Sequence, residues 1–297
     1  MTPGEKLNQR VRKVFEGAGF ETKPDSNDAS QHVIKLSSGK NRILDLLAID
    51  KVSKVRIIGL NKNISERTWT KLIRDFSIQV AKDKANVGLI VAPKRQYSGA
   101  EREEAESLNI CLWDEDRLKY YEAVVDTLGE TSKYEIIHAL GIESKEDHLV
   151  HNVLALKFQQ PFEEKNVDVF VFTITPDKLL RTCAIYRRAQ GNSDAYQRMV
   201  NKNRLVSIRK FVSKADSLLP TSFLLAFNET VNYDVVRTPT KADGAKTLNL
   251  TNKTYQLVNL QIPLKYGSLE ILDGQHRLFG FNTADAATKA EFNLVVV

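Results

Sequence analysis

The stretch EILDGQHRLFGF, residues 270–281, decides how the C-terminal half of the chain is read. Ile271 and Leu272 lead into Asp273-Gly274, a pair that favours a turn. Gln275, His276 and Arg277 then precede the apolar run Leu278, Phe279 and Phe281. The pattern predicts strand, turn and helix. Asp273 stands at the expected N-cap, where a carboxylate accepts from free backbone amides. Gly274 permits the turn and a close approach to the backbone. A helix start favours anions, because its N–H groups are unpaired and its dipole is positive there. His276 and Arg277 add donors at the same end, and arginine can grip a phosphate with two parallel bonds. From these residues alone two readings stay open. One is a turn that holds a phosphate. The other is a capped turn whose side chains satisfy neighbouring loops.

Upstream lies the most basic segment of the chain. From Arg181 to Lys214 there are nine basic residues, opposed only by Asp194. On a helix over 196–214, Val200, Leu205, Ile208, Phe211 and Val212 share one face. Arg198, Lys202 and Arg209 align within about 40° at the edge of that face. Arg204 falls inside the apolar arc, where a buried charge needs a partner. The stripe reads either as a phosphate-backbone contact or as a solvated face. Arg204 reads either as an anion ligand or as a snorkelling side chain.

The remaining second-half segments read as strands and one helix. NVDVFVFTIT, SFLLAF and TYQLVNLQIPL are strand-like, and Pro176 opens a helical PDKLLRTCAIYRR. The terminal FNLVVV reads as part of an unfinished sheet, so the natural chain is expected to continue past Val297.

The first half alternates. A helix around Leu7–Phe15 precedes three strands, HVIKL, ILDLLAID and VRIIGL. Then come a helix over roughly 65–82, the strand VGLIVA, a short helix, the strand ICLW and a helix opening on an acidic cap. This order predicts an α/β sandwich around a mixed sheet. The expected organisation is a domain over 1–128, a linker over 129–150 and an α+β domain over 151–297.

Composition narrows the class. The chain has 297 residues, 42% hydrophobic and 27% charged, with a net charge of +6. No stretch reaches membrane-span length and the N-terminus has no apolar signal core. Two cysteines, Cys111 and Cys183, offer neither a disulfide framework nor a zinc site. The reading is a cytoplasmic protein, with no membrane and no metal site. Its excess of positive charge points to a polyanionic partner.

Two resemblances sharpen this. Residues 5–125 resemble the restriction-endonuclease-like fold, in particular the Mrr-type nuclease domains. In active members an Asp on the second strand and a Glu-x-Lys or Gln-x-Lys on the third hold magnesium. Asp45 and Lys62 match the Asp and the Lys, but Leu60 stands where the second ligand belongs. The alternative to a lost ligand is Glu66, which could reach in from the following helix. The resemblance implies a degenerate nuclease domain that keeps the shape without cleavage.

DGQHR at 273–277, together with YQRMVNKNRLVSIRKFV and SFLLAF upstream, resembles the DGQHR-domain proteins. These include DndB-type regulators of DNA phosphorothioation and are similar to the ParB and sulfiredoxin superfamily. The resemblance covers 150–297. It implies a phosphate or nucleotide site at Asp273, Gly274, Gln275, His276, Arg277 and Arg204, and DNA contact by Arg198, Lys202 and Arg209. Gln275 replaces the reactive cysteine of sulfiredoxins. The function implied is DNA association in bacterial DNA modification, its regulation or phage defence, alongside other proteins of those systems. The alternatives are an NTP-hydrolysing enzyme using a nucleoside triphosphate with magnesium, an active nuclease, or a protein-interaction scaffold.

Overall fold

A computed structural model of the chain describes residues 2–22, 32–35, 41–62, 69–143, 145–185, 201–214, 216–236 and 255–297. The fold is mixed α/β, with helices and several sheets in two compact units, Met1–Ser144 and Lys145–Val297.

The first unit opens with α1 (Pro3–Gly17). The Thr2 hydroxyl accepts from the Glu5 N–H at 3.3 Å and the Glu5 carboxylate accepts from the Thr2 N–H at 2.7 Å. This reciprocal cap satisfies two donors that a helix start leaves open. The strands β1 (Glu21–Thr22), β2 (His32–Lys35), β3 (Asn41–Leu44), β4 (Leu46–Ile49) and β5 (Arg56–Asn61) follow. Next come α2 (Trp69–Lys82), β6 (Val87–Val91), α3 (Gly99–Ser107), β7 (Ile110–Trp113), α4 (Glu115–Leu128) and α5 (Ser132–Ala139). The main sheet runs β1-β4-β5-β6-β7. It is antiparallel up to β5, and β5, β6 and β7 are parallel. The strands β2 and β3 form a separate hairpin.

Alternation along the strands feeds two cores. Leu46, Ala48, Ile57 and Leu89 face α1, α4 and α5, where Phe15 stacks on Trp113 and Trp113 on Tyr121. Leu44, Ile58 and Ile90 face α2 and α3, against Ile73, Phe76 and Ala105. The result is three layers, helix, sheet and helix. The expected linker over 129–150 is mostly not a linker. Ile136, Ile137, Leu140 and Ile142 are buried in the first core, so the segment through 143 belongs to the first unit.

The second unit begins with a long hairpin, β8 (Val150–Phe162) and β9 (Lys165–Ile174), then α6 (Pro176–Thr182) and β10 (Cys183–Ala184). The helix is shorter than expected and ends before Cys183. Then come α7 (Lys202–Val212), β11 (Leu224–Phe227), β12 (Asn232–Val235), β13 (Tyr255–Pro263), β14 (Leu269–Asp273), α8 (Gln275–Phe279), α9 (Ala286–Glu291) and β15 (Leu294–Val296).

An antiparallel sheet runs β12-β13-β8-β9-β15, and a three-stranded one runs β10-β14-β11. The terminal strand joins them. The Phe223 N–H donates to the Val295 carbonyl at 2.8 Å, and the Val297 N–H donates to the Phe223 carbonyl at 2.8 Å. The strand β15 is thus bonded on both sides, to β9 and to residues 223–225, and is not the open edge that FNLVVV suggests. Among the described residues no helix is long and apolar enough to cross a membrane.

Candidate functional site

In the second unit β14 delivers the DGQHR turn. Gly274, not Asp273, is the N-cap of α8, with φ +101°. That left-handed conformation suits glycine alone, and a Cβ there would lie 2.6 Å from Phe223 Cδ1. Asp273 is displaced from the cap role by this residue. Its carboxylate is largely exposed and accepts from Arg277 Nη2 at 3.3 Å.

Arg277 is committed to the chain. Nη1 donates to the Thr221 carbonyl at 2.7 Å and to the Thr221 hydroxyl. Nη2 also donates to the Ser222 carbonyl at 3.0 Å, and the guanidinium lies 4.7 Å above the Phe223 ring. The fork expected to grip a phosphate instead fastens the approach to β11 onto the turn. The side chain of Gln275 has its Oε1 buried without a hydrogen-bond partner.

His276 reaches α7. Its Nε2 accepts the Asn201 N–H at 3.2 Å, which places the proton of the neutral ring on Nδ1. Asn201 is the N-cap of α7, and its side-chain oxygen accepts the Arg204 N–H at 3.2 Å. Burial, and then the charge of Arg204, hold the His276 pKa below the usual histidine value. The helices approach closely at Gly280, where a Cβ would lie 2.3 Å from Ile208 Cγ2.

The sequence reading of α7 is corrected in part. The helix starts at Lys202, with Asn201 extended as its cap. Only Leu205 and Val212 are buried, while Ile208 is half-buried and Phe211 is exposed. Arg204 is exposed, beside His276, rather than inside a buried arc. Lys202 and Arg209 are exposed on the opposite flank, seven positions apart on one face. Arg198, the third member of the stripe, lies outside the described residues, as does Glu66.

In the first unit Asp45 sits at a bend between β3 and β4. Its oxygens accept from Asn8 Nδ2 at 3.3 Å and from the Asn61 N–H at 2.8 Å. Asn61 Nδ2 donates to Asn8 Oδ1 at 2.8 Å, leaving Asn61 Oδ1 buried without a partner. Leu60 packs against the α2 core, and Lys62 follows the strand end, its N–H donating to the Val91 carbonyl at 2.8 Å. A magnesium site does not fit this set. Its neighbours are amides and an alkyl group, and the described residues hold no group of three acidic, histidine or cysteine side chains placed for a metal. Asn8 and Asn61 were missed from sequence, because lone asparagines on a helix and a strand carry no motif. Burial pushes the thiols of Cys111 and Cys183 up, against thiolate chemistry at either.

Comparisons with family models, with curated proteins and with solved structures returned no match to this chain.

Proposed function

We propose that the chain is a DNA-associated, non-cleaving protein of the DGQHR type, acting in bacterial DNA modification, its regulation or defence. The observation that carries this is the seating of α7. His276 Nε2 and both Arg277 Nη groups bond inside the second unit, His276 on the cap of α7 and Arg277 on residues 221 and 222. The turn thereby holds α7 in place while Lys202, Arg204 and Arg209 stay exposed. No acidic residue lies on α7. An exposed helix of this charge matches a phosphate backbone, whose contacts supply most sequence-independent affinity.

On this reading the phosphate contacts come from α7, and the DGQHR turn is a positioning device. The first unit is a restriction-endonuclease-like domain that keeps Asp45 but has Leu60 where the second metal ligand belongs. The three layers and mixed sheet support that likeness, and Leu60 in the core accounts for the loss.

The test is binding of a labelled DNA duplex, and separately of ATP, GTP and CTP, each with and without magnesium. Duplex binding that is independent of magnesium supports the proposal. Turnover of a nucleoside triphosphate, or no affinity for DNA, overturns it.

A further inference from the structure

In the first unit β6 and β7 are parallel, and their carboxyl ends send the chain to opposite faces of the sheet. From β6 it reaches α3, in the core of Ile90 and Ala92. From β7 it reaches α4, in the core of Leu89 and Val91. In α/β sheets such a divergence opens a crevice in which ligands bind. Here residues 93–97 and Arg102 on one side, and Asp114, Glu115 and Asp116 on the other, line a cleft of about 510 Å³. Small-molecule sites span about 300–1,000 Å³.

Two of the acids are occupied. Asp114 accepts the Arg117 N–H at 2.9 Å and Arg102 Nη2 at 3.1 Å, and Arg10 pairs with Glu115 at 3.0 Å. The donors are less well met. Tyr97 is 8% exposed, and its hydroxyl is buried with no hydrogen-bond partner among the described residues. Burial, and then the charge of Asp114, push its pKa up, so the hydroxyl keeps a proton to donate. The charges of Asp114, Arg95 and Arg102 act on that hydroxyl and all three line the cleft, so it is turned towards it. Arg95 Nε is also buried without a partner among the described residues, although Nη2 is paired with Glu101. The Arg95 guanidinium lies 5.0 Å from the centre of the Trp69 ring, which holds it in place. Lys94 adds an exposed positive charge and Asp116 an exposed carboxylate.

The unmet buried groups are donors, and a buried donor left unmet costs stability. A charged acceptor with several oxygens meets them, and phosphate presents more oxygens than a carboxylate does. We propose that this cleft binds the phosphate of a small molecule, with Tyr97 Oη and Arg95 Nε donating to it and Lys94 offsetting its charge. Asp116 is left to accept from a hydroxyl of a phosphate ester. The inference does not rest on the DNA reading and lies wholly within the first unit.

The test is titration of the full chain, freed of nucleic acid, with inorganic phosphate and with ribose 5-phosphate against chloride of matched ionic strength. The indole N–H resonance of Trp69, assigned with Trp69→Phe, reports binding beside Arg95. The parent is expected to give a saturable shift with a Kd of about 1 mM or tighter. An ester that binds at least tenfold tighter than phosphate identifies the ligand as an ester, and equal affinities identify the free anion. Tyr97→Phe keeps the ring and removes one donor to a charged group, so it should weaken binding at least tenfold. Without phosphate its melting temperature should equal or exceed the parent's, because the hydroxyl removed had no partner. Lys94→Ala should weaken binding a few-fold. No saturable response up to about 50 mM phosphate, or a Tyr97→Phe protein that binds like the parent, overturns the proposal. So does a Tyr97→Phe protein that is less stable without phosphate, since the hydroxyl would then be structural. Displacement of bound phosphate by a DNA duplex would assign the cleft to a nucleic-acid backbone and also overturn it.

Discussion

His276 Nε2 accepts the backbone N–H of Asn201 at 3.2 Å, tying the turn after β14 to the cap of α7. An imidazolium has no lone pair at that nitrogen, so protonation breaks the contact. Burial and then Arg204 lower the folded-state pKa from the ordinary 6.5. Below pH 6.5 the unfolded chain therefore binds a proton that the folded chain resists. Stability is complete above that pH, falls as pH drops through the folded-state value, and then levels. His151, lowered by burial and by Lys178, acts in the same window. Urea midpoints from pH 8 to 5 for parent and His276→Ala should therefore differ in slope, the variant losing part of the decline. Parallel curves would mean that His276 carries none of it.

Gly274→Ala forces a side chain into a left-handed conformation against Phe223. The expected loss is about 2–4 kcal/mol of unfolding free energy. Gly280→Ala collides instead with Ile208 Cγ2 at 2.3 Å and Cβ at 2.8 Å, near the stem of a branched and stiff side chain. Its cost should fall in an Ile208→Ala background, so a double-mutant cycle should show coupling between the two sites. Additive losses would place Gly280 away from α7.

Arg277 fastens residues 221–223 through a two-pronged fork and a ring contact. Lysine keeps the charge but not the fork. Arg277→Lys should then cost nearly as much stability as Arg277→Ala, about 2–3 kcal/mol. DNA affinity, corrected for the folded fraction, should stay within a few-fold of the parent. An intact melting temperature with lost affinity would restore Arg277 as a phosphate ligand.

Incubating plasmid with the protein and magnesium or manganese should leave the DNA uncut. Leu60 packs against the α2 core, and the Asp45 carboxylate accepts from the Asn8 side-chain amide and the Asn61 N–H. Cutting that disappears in Asp45→Ala would overturn the degenerate-domain reading.

The order of the first unit was legible because each strand is a compact apolar run between turn residues. Its breaks were less so. ILDLLAID reads as one strand, yet Asp45 bends it into β3 and β4, because its carboxylate turns to the Asn61 N–H. In the second unit β8 went unread. Its apolar residues fall on both faces, which hides the usual alternation, and Lys157 sits on its buried side, paired with Asp168 at 3.0 Å. Arg204 was misplaced because the apolar arc of α7 was drawn too wide. Phe211 belongs to the pattern but not to the packing, and the buried positions of α7 are Leu205 and Val212, with Ile208 set against Gly280. The turn itself was recognised, but not the direction of its donors. Thr221 and Ser222 are more than fifty residues away in sequence, and no local pattern reveals such partners.

The most direct test of the account is the salt dependence of duplex binding by parent and Lys202→Ala/Arg209→Ala proteins. Each phosphate contact contributes about 0.9 to the slope of log K against log salt. If both side chains touch the backbone, the double variant should bind more weakly on every sequence, with a slope shallower by about two. An unchanged slope would contradict the account, leaving α7 as a solvated basic face.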